Sequence, residues 1–154
     1  RSAPTCVILR SAAFQLQLPG MKVLQFSFTD DRDNVHKPDN YPSHGNCVVY
    51  SGTHDNDTAA GWYANSSEVD RARARMHLRS DGQTFARDLV GAAWRSTANL
   101  AIAPLQDLQA LGSEARMNTP GTPTGNWTWR MASAVSARDV PWLLSLTQES
   151  GRAG

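Results

Sequence analysis

Short apolar runs that end abruptly in polar residues are the main pattern along this chain. One run covers residues 21–28 and leads into Thr-Asp-Asp, a second covers residues 47–51 and leads into a Gly, His and Asp cluster, and a third covers residues 100–103 and leads into Pro104. Each run is apolar and short enough to form a single strand. The pattern therefore predicts three strands over these residues.

Helical patterns separate the predicted strands. Phe85, Leu89 and Ala93 recur at helical spacing, which indicates a helix with one buried face. Ser67, followed three residues later by Asp70, is typical of a helix N-terminus. The predicted helices cover residues 58–63, 69–78, 83–96, 105–111 and 140–146. Strands that alternate with helices or long loops predict an α/β fold with a parallel sheet.

The length of the chain limits how much of a fold it can form. Its 154 residues, 40% hydrophobic and 19% charged, are typical of one globular domain. A closed barrel of parallel strands needs about eight strands, and three predicted strands make only part of one. Two irregular loops rich in Gly, Pro, Asn and Asp are predicted at residues 30–46 and 113–130, and loops of this kind often carry function.

Charge and hydropathy give no reason to expect nucleic acid or a membrane as a partner. The net charge is +1, with 15 basic and 14 acidic side chains. An arginine triplet at residues 71–75 is either an RNA-binding stripe or a solvated helix face, and the helix face is favoured. No apolar run approaches the roughly 20 residues that span a bilayer.

The two cysteines, Cys6 and Cys47, are too few for a disulfide framework, so we expect two reduced, mostly buried thiols. Arg10 interrupts the only apolar run near the N-terminus, and no signal-peptide cleavage pattern follows. Together these features predict a cytoplasmic type of compartment.

Polar residues at the end of the second strand are the strongest candidates for chemistry. Because the carboxyl ends of parallel strands meet at one edge, His54 and Asp55 should lie near Asp30, which follows the first strand. A divalent metal site is disfavoured because no second His follows at ligand spacing. Capping of the next helix by Asp55 or Asp57 is a structural alternative. The favoured interpretation is a polar site that grips a hydroxylated ligand.

Aromatic and amide side chains add to this interpretation, each with an ordinary alternative. Trp62, Trp127 and Trp129 could stack on sugar rings, whereas burial in the core is the usual fate of a tryptophan. Asn118 and Asn126 could hydrogen-bond the hydroxyls of a ligand, and loop capping is equally compatible with their positions. Read in isolation, Asp30 and Asp31 are more typical of turn residues.

Eight segments occur in an order and spacing that are specific: Leu18–Phe26, Asn40–Pro42, Val48–Tyr50, Gly52–Thr58, Gly61–Trp62, Ala103–Asp107, Leu111–Asn118 and Gly125–Arg130. Together they resemble the 4-α-glucanotransferases, also called amylomaltases or disproportionating enzymes, which are retaining barrel enzymes of the α-amylase type. The resemblance covers about residues 18–130. It implies a poorly matching segment at residues 1–17, followed at residues 18–154 by the C-terminal portion of a glucanotransferase barrel domain.

The resemblance implies a partial (β/α)8 TIM barrel that contains approximately strands six to eight. It implies that Asp55 is the acidic residue that grips the sugar at the cleavage site and supports the transition state. His54, Asp30 and Asn118 are then substrate contacts. The implied partners are α-1,4-glucans and maltooligosaccharides, the implied reaction needs no cofactor or metal, and the implied location is the cytoplasm, or the plastid stroma in a plant or alga.

The resemblance also implies what this stretch of sequence does not encode. Retaining transfer needs a nucleophilic carboxylate and an acid/base carboxylate about 5–5.5 Å apart. The family places these groups at the ends of strands four and five, before the matching segments begin. We therefore expect the isolated chain to be inactive as a transferase. A non-catalytic α-glucan-binding remnant is the alternative.

Overall fold

A parallel three-stranded sheet is the framework of the protein. The computed structural model describes residues 15–132 and 139–153. Strands β1 (Gly20–Val23), β2 (Cys47–Tyr50) and β3 (Leu100–Ile102) lie side by side in chain order. Both neighbouring pairs are parallel. The predicted α/β fold with a parallel sheet is confirmed.

The five predicted helices are present with shifted boundaries. They are α1 (Ala59–Asn65), α2 (Glu68–Leu78), α3 (Phe85–Arg95), α4 (Leu105–Leu108) and α5 (Asp139–Glu149). The Ser67 hydroxyl accepts a hydrogen bond from the Asp70 N–H, which confirms the predicted cap of α2. Helix α4 is shorter than predicted because Ala110 adopts a left-handed backbone conformation with a φ of 52°. Single 3-10 turns lie at Leu24–Phe26, Pro38–Asn40 and Ser113–Ala115.

The first predicted strand, residues 21–28, is wrong beyond Val23. The chain turns there into a 3-10 helix, in which the Ser27 N–H and hydroxyl both donate to the Leu24 carbonyl, at 2.9 and 2.7 Å. The pairing with β2 ends at the same level, since Val23 is opposite Tyr50, the last residue of β2. The apolar residues Leu24 and Phe28 are buried in the core rather than paired in the sheet.

Helix α3 supplies the centre of the hydrophobic core. Leu89 and Ala93 are fully buried in one cluster with Cys47 and Val49 of β2. Full burial of a Leu or Val side chain contributes about 1.5–3 kcal/mol. The Phe85 ring stacks on the Tyr63 ring with a centroid distance of 4.4 Å. The predicted buried face of this helix and the buried free thiol of Cys47 are confirmed, whereas Cys6 lies outside the described residues.

The opposite face of the sheet is apolar and open. Side chains alternate across a strand, so the residues between the buried positions point away from α3. Met21, Leu100 and Ile102 are 56%, 51% and 38% exposed. A parallel sheet is normally covered on both faces. Among the residues that the structure describes, no element covers this face of the sheet.

The arginine triplet lies on α2, where each guanidinium pairs with carboxylates. The ion pairs are Arg71–Glu68, Arg73–Asp30, Arg73–Asp70 and Arg75–Glu68. This arrangement is that of a solvated helix face laced with intramolecular ion pairs. Among the helices that the structure describes, none has the length and apolar content needed to cross a membrane.

Candidate functional site

The loop between β2 and α1 presents His54 and Asp55 at the carboxyl end of the sheet. The Thr53 N–H and hydroxyl both donate to the Asn56 side-chain oxygen, at 2.9 and 2.7 Å. The Asn56 N–H in turn donates to the Thr53 carbonyl at 3.1 Å. This tight turn directs the two intervening side chains outward, where they are 56% and 51% exposed.

The Asp55 carboxylate has one oriented oxygen and one open oxygen. Its Oδ1 accepts a hydrogen bond of 2.6 Å from the Asn118 amide and lies 3.4 Å from His54 Nε2. Arg116 donates to the Asp55 backbone carbonyl at 2.8 Å. Within residues 15–132 and 139–153, no hydrogen bond reaches Oδ2. The carboxylate is thus fixed on one side and available to a ligand on the other.

The loop after α4 closes against His54 and Asp55. The Asn118 N–H donates to the His54 carbonyl at 3.1 Å, and the Trp127 N–H donates to the Met117 carbonyl at 2.7 Å. The Trp127 ring lies 5.1 Å from the His54 ring and is 54% exposed. The structure therefore brings His54, Asp55 and Asn118 together and adds an exposed aromatic ring beside them.

Asp30 is placed differently. In the part of the chain that the structure describes, both of its carboxylate oxygens are hydrogen-bonded by Arg73 of α2, and it shares no hydrogen bond with His54, Asp55 or Asn118. Its side chain is 76% exposed. Asp31 accepts a hydrogen bond from the Asp33 N–H, as expected of a turn residue.

Two other candidates have structural roles. Trp62 packs in the core against the rings of Phe28 and Phe85, at centroid distances of 5.2 and 5.4 Å. Asn126 accepts from the Thr119 N–H at 2.8 Å and donates to the Thr122 carbonyl at 3.0 Å. For these residues the ordinary alternatives, a core tryptophan and a loop cap, describe the structure.

Two clefts flank the loop that carries Asp55. One, of about 430 Å³, lies over the strand ends and is lined by residues that include Tyr50, His54, Asp55 and Ile102. The other, of about 210 Å³, lies on the side of Trp127 and Met117. The larger cleft has the size of a small-ligand site and combines an apolar floor with a few polar groups, as such sites usually do.

The start of α1 is capped by residues other than Asp55. The Thr58 hydroxyl accepts from the Gly61 N–H at 3.0 Å and is the N-terminal cap. Asp57 accepts from the Thr58 N–H at 2.8 Å and from the Ser113 hydroxyl at 2.6 Å. The capping alternative is therefore wrong for Asp55, whereas Asp57 holds the residue that caps the helix.

The sequence pattern placed Asp107 after the third strand but predicted no role for it. Its side chain is 1% exposed and accepts from the Ser51 hydroxyl at 2.6 Å and from the Ala59 N–H at 2.7 Å. Burial raises the pKa of Asp107, and the two hydrogen bonds oppose that shift. The available signal was its position, since it follows β3 much as Asp30 and Asp55 follow β1 and β2.

Among the residues that can be described, no group of three or more His, Cys, Asp or Glu side chains is placed to hold a metal ion. The exposed groups at this site are the open carboxylate oxygen of Asp55, the imidazole of His54 and the aromatic ring of Trp127. This combination suits a neutral ligand with hydroxyl groups and apolar ring faces.

Comparison with known proteins identifies relatives of the chain. Residues 6–136 match the sequence profile of the 4-alpha-glucanotransferases. The chain belongs to the 4-alpha-glucanotransferase family. It is 51% identical over 120 residues to the 4-alpha-glucanotransferase of Thermus thermophilus, covering 74% of this chain and 24% of that protein. It is 48% identical over 119 residues to a chloroplastic/amyloplastic 4-alpha-glucanotransferase of Arabidopsis thaliana, covering 77% of this chain and 20% of that protein.

The fold is similar to that of a solved member of this family. An amylomaltase from Streptococcus agalactiae, solved in complex with acarbose, superposes with a TM-score of 0.87 at 28% identity. The superposition covers 95% of this chain and 30% of that amylomaltase, which is a TIM-barrel enzyme. The chain thus spans about a fifth to a quarter of the length of the two curated relatives above.

Proposed function

We propose that the chain forms a glucan-binding part of a 4-α-glucanotransferase catalytic barrel. The observation that carries this proposal is the Asp55 carboxylate, which Asn118 orients through one oxygen while the other oxygen stays open beside a cleft. A carboxylate oxygen accepts strong, charge-assisted hydrogen bonds from hydroxyl groups. The ligand would be an α-1,4-glucan or a maltooligosaccharide.

The barrel part of the proposal rests on the sheet. Strands six to eight of such a barrel would provide three parallel strands in chain order. Here the first two are joined by a loop with two 3-10 turns, and the last two are joined through helices. The exposed apolar residues of the open face, Met21, Leu100 and Ile102, would then lie in the barrel interior. Asp55 would stand at the carboxyl rim, where enzymes of this fold hold their substrates.

The side chains around Asp55 have separate roles in this proposal. Asp55 would accept hydrogen bonds from hydroxyl groups of the bound glucosyl ring and stabilise the positive charge that develops on that ring. His54 and Asn118 would hydrogen-bond the same ring, and Trp127 would pack against an apolar sugar face. Asp30 would be a weaker contact at the edge, because a ligand hydroxyl must compete there with Arg73.

The reaction we propose for the whole family member is retaining transfer of an α-1,4-glucan segment, without a cofactor. The isolated chain would not carry it out. Apart from Asp55, the carboxylates near the site are Asp30, Asp57 and Asp107, and protein groups already engage both oxygens of each. None of them is available as the nucleophile or the acid/base group, so on its own the chain would bind glucan without turnover. We propose a cytoplasmic or plastid location, and the Arabidopsis thaliana relative is named as chloroplastic/amyloplastic.

Binding of maltoheptaose, measured by isothermal titration calorimetry, tests the proposed site. Asp55→Ala should weaken binding at least about tenfold, because a charge-assisted hydrogen bond is lost. Asp30→Ala should weaken binding less than Asp55→Ala does. Asp31→Ala, which removes a carboxylate of a nearby turn, should bind maltoheptaose like the wild type. Equal affinity of the wild type and Asp55→Ala would contradict the proposed site.

Incubation with maltotriose tests the proposed lack of turnover. We expect no release of glucose and no longer maltodextrins above the level of a heat-treated sample. Transfer products that form at an enzyme-like rate, and disappear in Asp55→Ala, would show that this chain supplies its own bond-breaking carboxylates.

A further inference from the structure

The two ends of the loop that carries Asp55 are joined by a single buried side chain. Ser51 follows β2 directly, and Ala59 is the first residue of α1. The Ser51 hydroxyl and the Ala59 N–H donate to the two different oxygens of Asp107, at 2.6 and 2.7 Å. The separation of the loop ends is therefore set by one carboxylate.

The residue before Asp107 holds the opposite wall of the site. The Gln106 side chain, which is 7% exposed, donates to the Ala115 carbonyl at 3.2 Å. Ala115 ends the 3-10 turn that leads to Asn118. The two buried residues of α4 thus anchor both partners of the 2.6 Å hydrogen bond between Asn118 and Asp55.

We propose that Asp107 is a positioning residue for glucan binding: it fixes the β2–α1 loop so that Asp55 and His54 face Asn118 and Trp127. The inference rests on the proposed function for its ligand. Asp107 itself is buried beneath the loop and acts through it.

The chemistry of Asp107 suggests which substitutions separate positioning from folding. Asparagine keeps one oxygen for the Ala59 N–H, and its amide can donate to the Ser51 hydroxyl oxygen, so Asp107→Asn should preserve the link. Alanine removes both bonds. Ser27→Ala is the matched control, because Ser27 is also buried and its hydroxyl makes one hydrogen bond of 2.7 Å far from the loop ends in sequence.

The first readout is the His54 ring-proton resonance in solution, assigned with His54→Gln. We expect the ring current of Trp127, whose ring lies 5.1 Å from that of His54, to shift this resonance from that of a free histidine. We expect the shift to persist in Asp107→Asn and Ser27→Ala and to collapse in Asp107→Ala. This readout needs no ligand, so it tests the position of the loop even if the wild type binds no glucan.

The second readout is maltoheptaose affinity by calorimetry, at a temperature where each variant is folded by circular dichroism. If the binding-competent loop falls to about a tenth of the population in Asp107→Ala, affinity falls about tenfold. Asp107→Asn should stay within about twofold of the wild type. No binding by the wild type would refute the proposed function, whereas the His54 resonance would still decide the role of Asp107.

Two results would overturn the inference. One is a folded Asp107→Ala that keeps both the His54 shift and the affinity of the wild type. The other is an equal loss in Asp107→Ala and Ser27→Ala, which would indicate general destabilisation. If Asp107→Ala does not fold, Ser51→Ala takes its place, with a partial loss of the His54 shift expected and an unchanged shift counting against the proposal.

Discussion

Two acidic segments follow neighbouring strands of the same sheet, and they differ in what surrounds them. Asp30 comes after β1 and is held at the surface by Arg73 of α2. Asp55 comes after β2 and is held by Asn118, with one oxygen left open. The end of a parallel strand brings a carboxylate to the right edge of the sheet, but the neighbouring loop decides whether an oxygen remains available to a ligand.

The same two segments also differ in how they are anchored. The segment after β1 is held by its own polar side chains, such as Asn34, which donates to the Phe26 carbonyl at 2.8 Å. The loop after β2 is held from below by Asp107, which is almost completely buried. Breaking a buried hydrogen bond is costly, because its donors are left with neither their acceptor nor water. The groups of an exposed hydrogen bond can bind water instead, so breaking it costs little.

The largest expected effect is on stability. Asp107→Ala should lower the free energy of unfolding by about 2–4 kcal/mol, because two buried donors lose their acceptor. Asp30→Ala should leave it unchanged within error, since its ion pair is exposed. Urea denaturation monitored by tryptophan fluorescence measures both. Equal losses in the two variants would remove the distinction between the anchors.

A smaller effect is expected on affinity when the exposed ring of the site is removed. Trp127→Ala should weaken maltoheptaose binding about three- to tenfold, and Trp127→Phe should weaken it less, because part of the aromatic surface remains. Arg73→Ala removes the ion-pair partner of Asp30 and Asp70; it is the control, and its affinity should stay near that of the wild type. The comparison would be contradicted if calorimetry showed that Arg73→Ala weakens maltoheptaose binding more than Trp127→Ala does.

The smallest expected effect is a pH dependence of stability that comes from Asp107. Burial raises the pKa of Asp107 in the folded chain above the ordinary value of 3.8. The folded state therefore binds this proton more readily than the unfolded state. The resulting stabilisation is present below pH 3.8 and is lost as pH rises through the folded pKa.

The difference in stability between the wild type and Asp107→Asn isolates this contribution. It should shift in favour of the wild type as pH falls from neutral, because the amide does not titrate. Glu68, whose pKa is lowered by its hydrogen bonds to Arg75 and Arg71, acts in the opposite sense but is common to both proteins. A difference that stays constant from neutral pH to below 3.8 would contradict the assigned direction.

Local sequence signals were sufficient for much of the fold. The apolar runs located β2 and β3 to within one residue at either end, and Ser67 identified the start of α2. They failed for β1, because its end depends on where its partner stops and on the Ser27–Leu24 hydrogen bonds. Both are properties of tertiary structure, and a short apolar run in the sequence does not encode them.

The site shows the same division. The position of His54 and Asp55 at the carboxyl end of the sheet follows from their place after a strand, and the family resemblance pointed to Asn118. The three tryptophan candidates had identical alternatives in the sequence, yet Trp62 is in the core and Trp127 is beside His54. Asp107 had the pattern of a residue in an ordinary short helix, and its importance depends on the convergence of Ser51 and Ala59, which lie far away in sequence.

The most direct test of the glucan site observes the hydrogen bond that defines it. In an isotope-labelled chain titrated with maltoheptaose, the side-chain amide of Asn118 reports on its hydrogen bond to the Asp55 carboxylate. We predict saturable shifts of this amide and of the His54 ring proton, both abolished by Asp55→Ala. Shifts confined to other surfaces, such as the arginine face of α2, or no saturable shifts at all, would contradict the account.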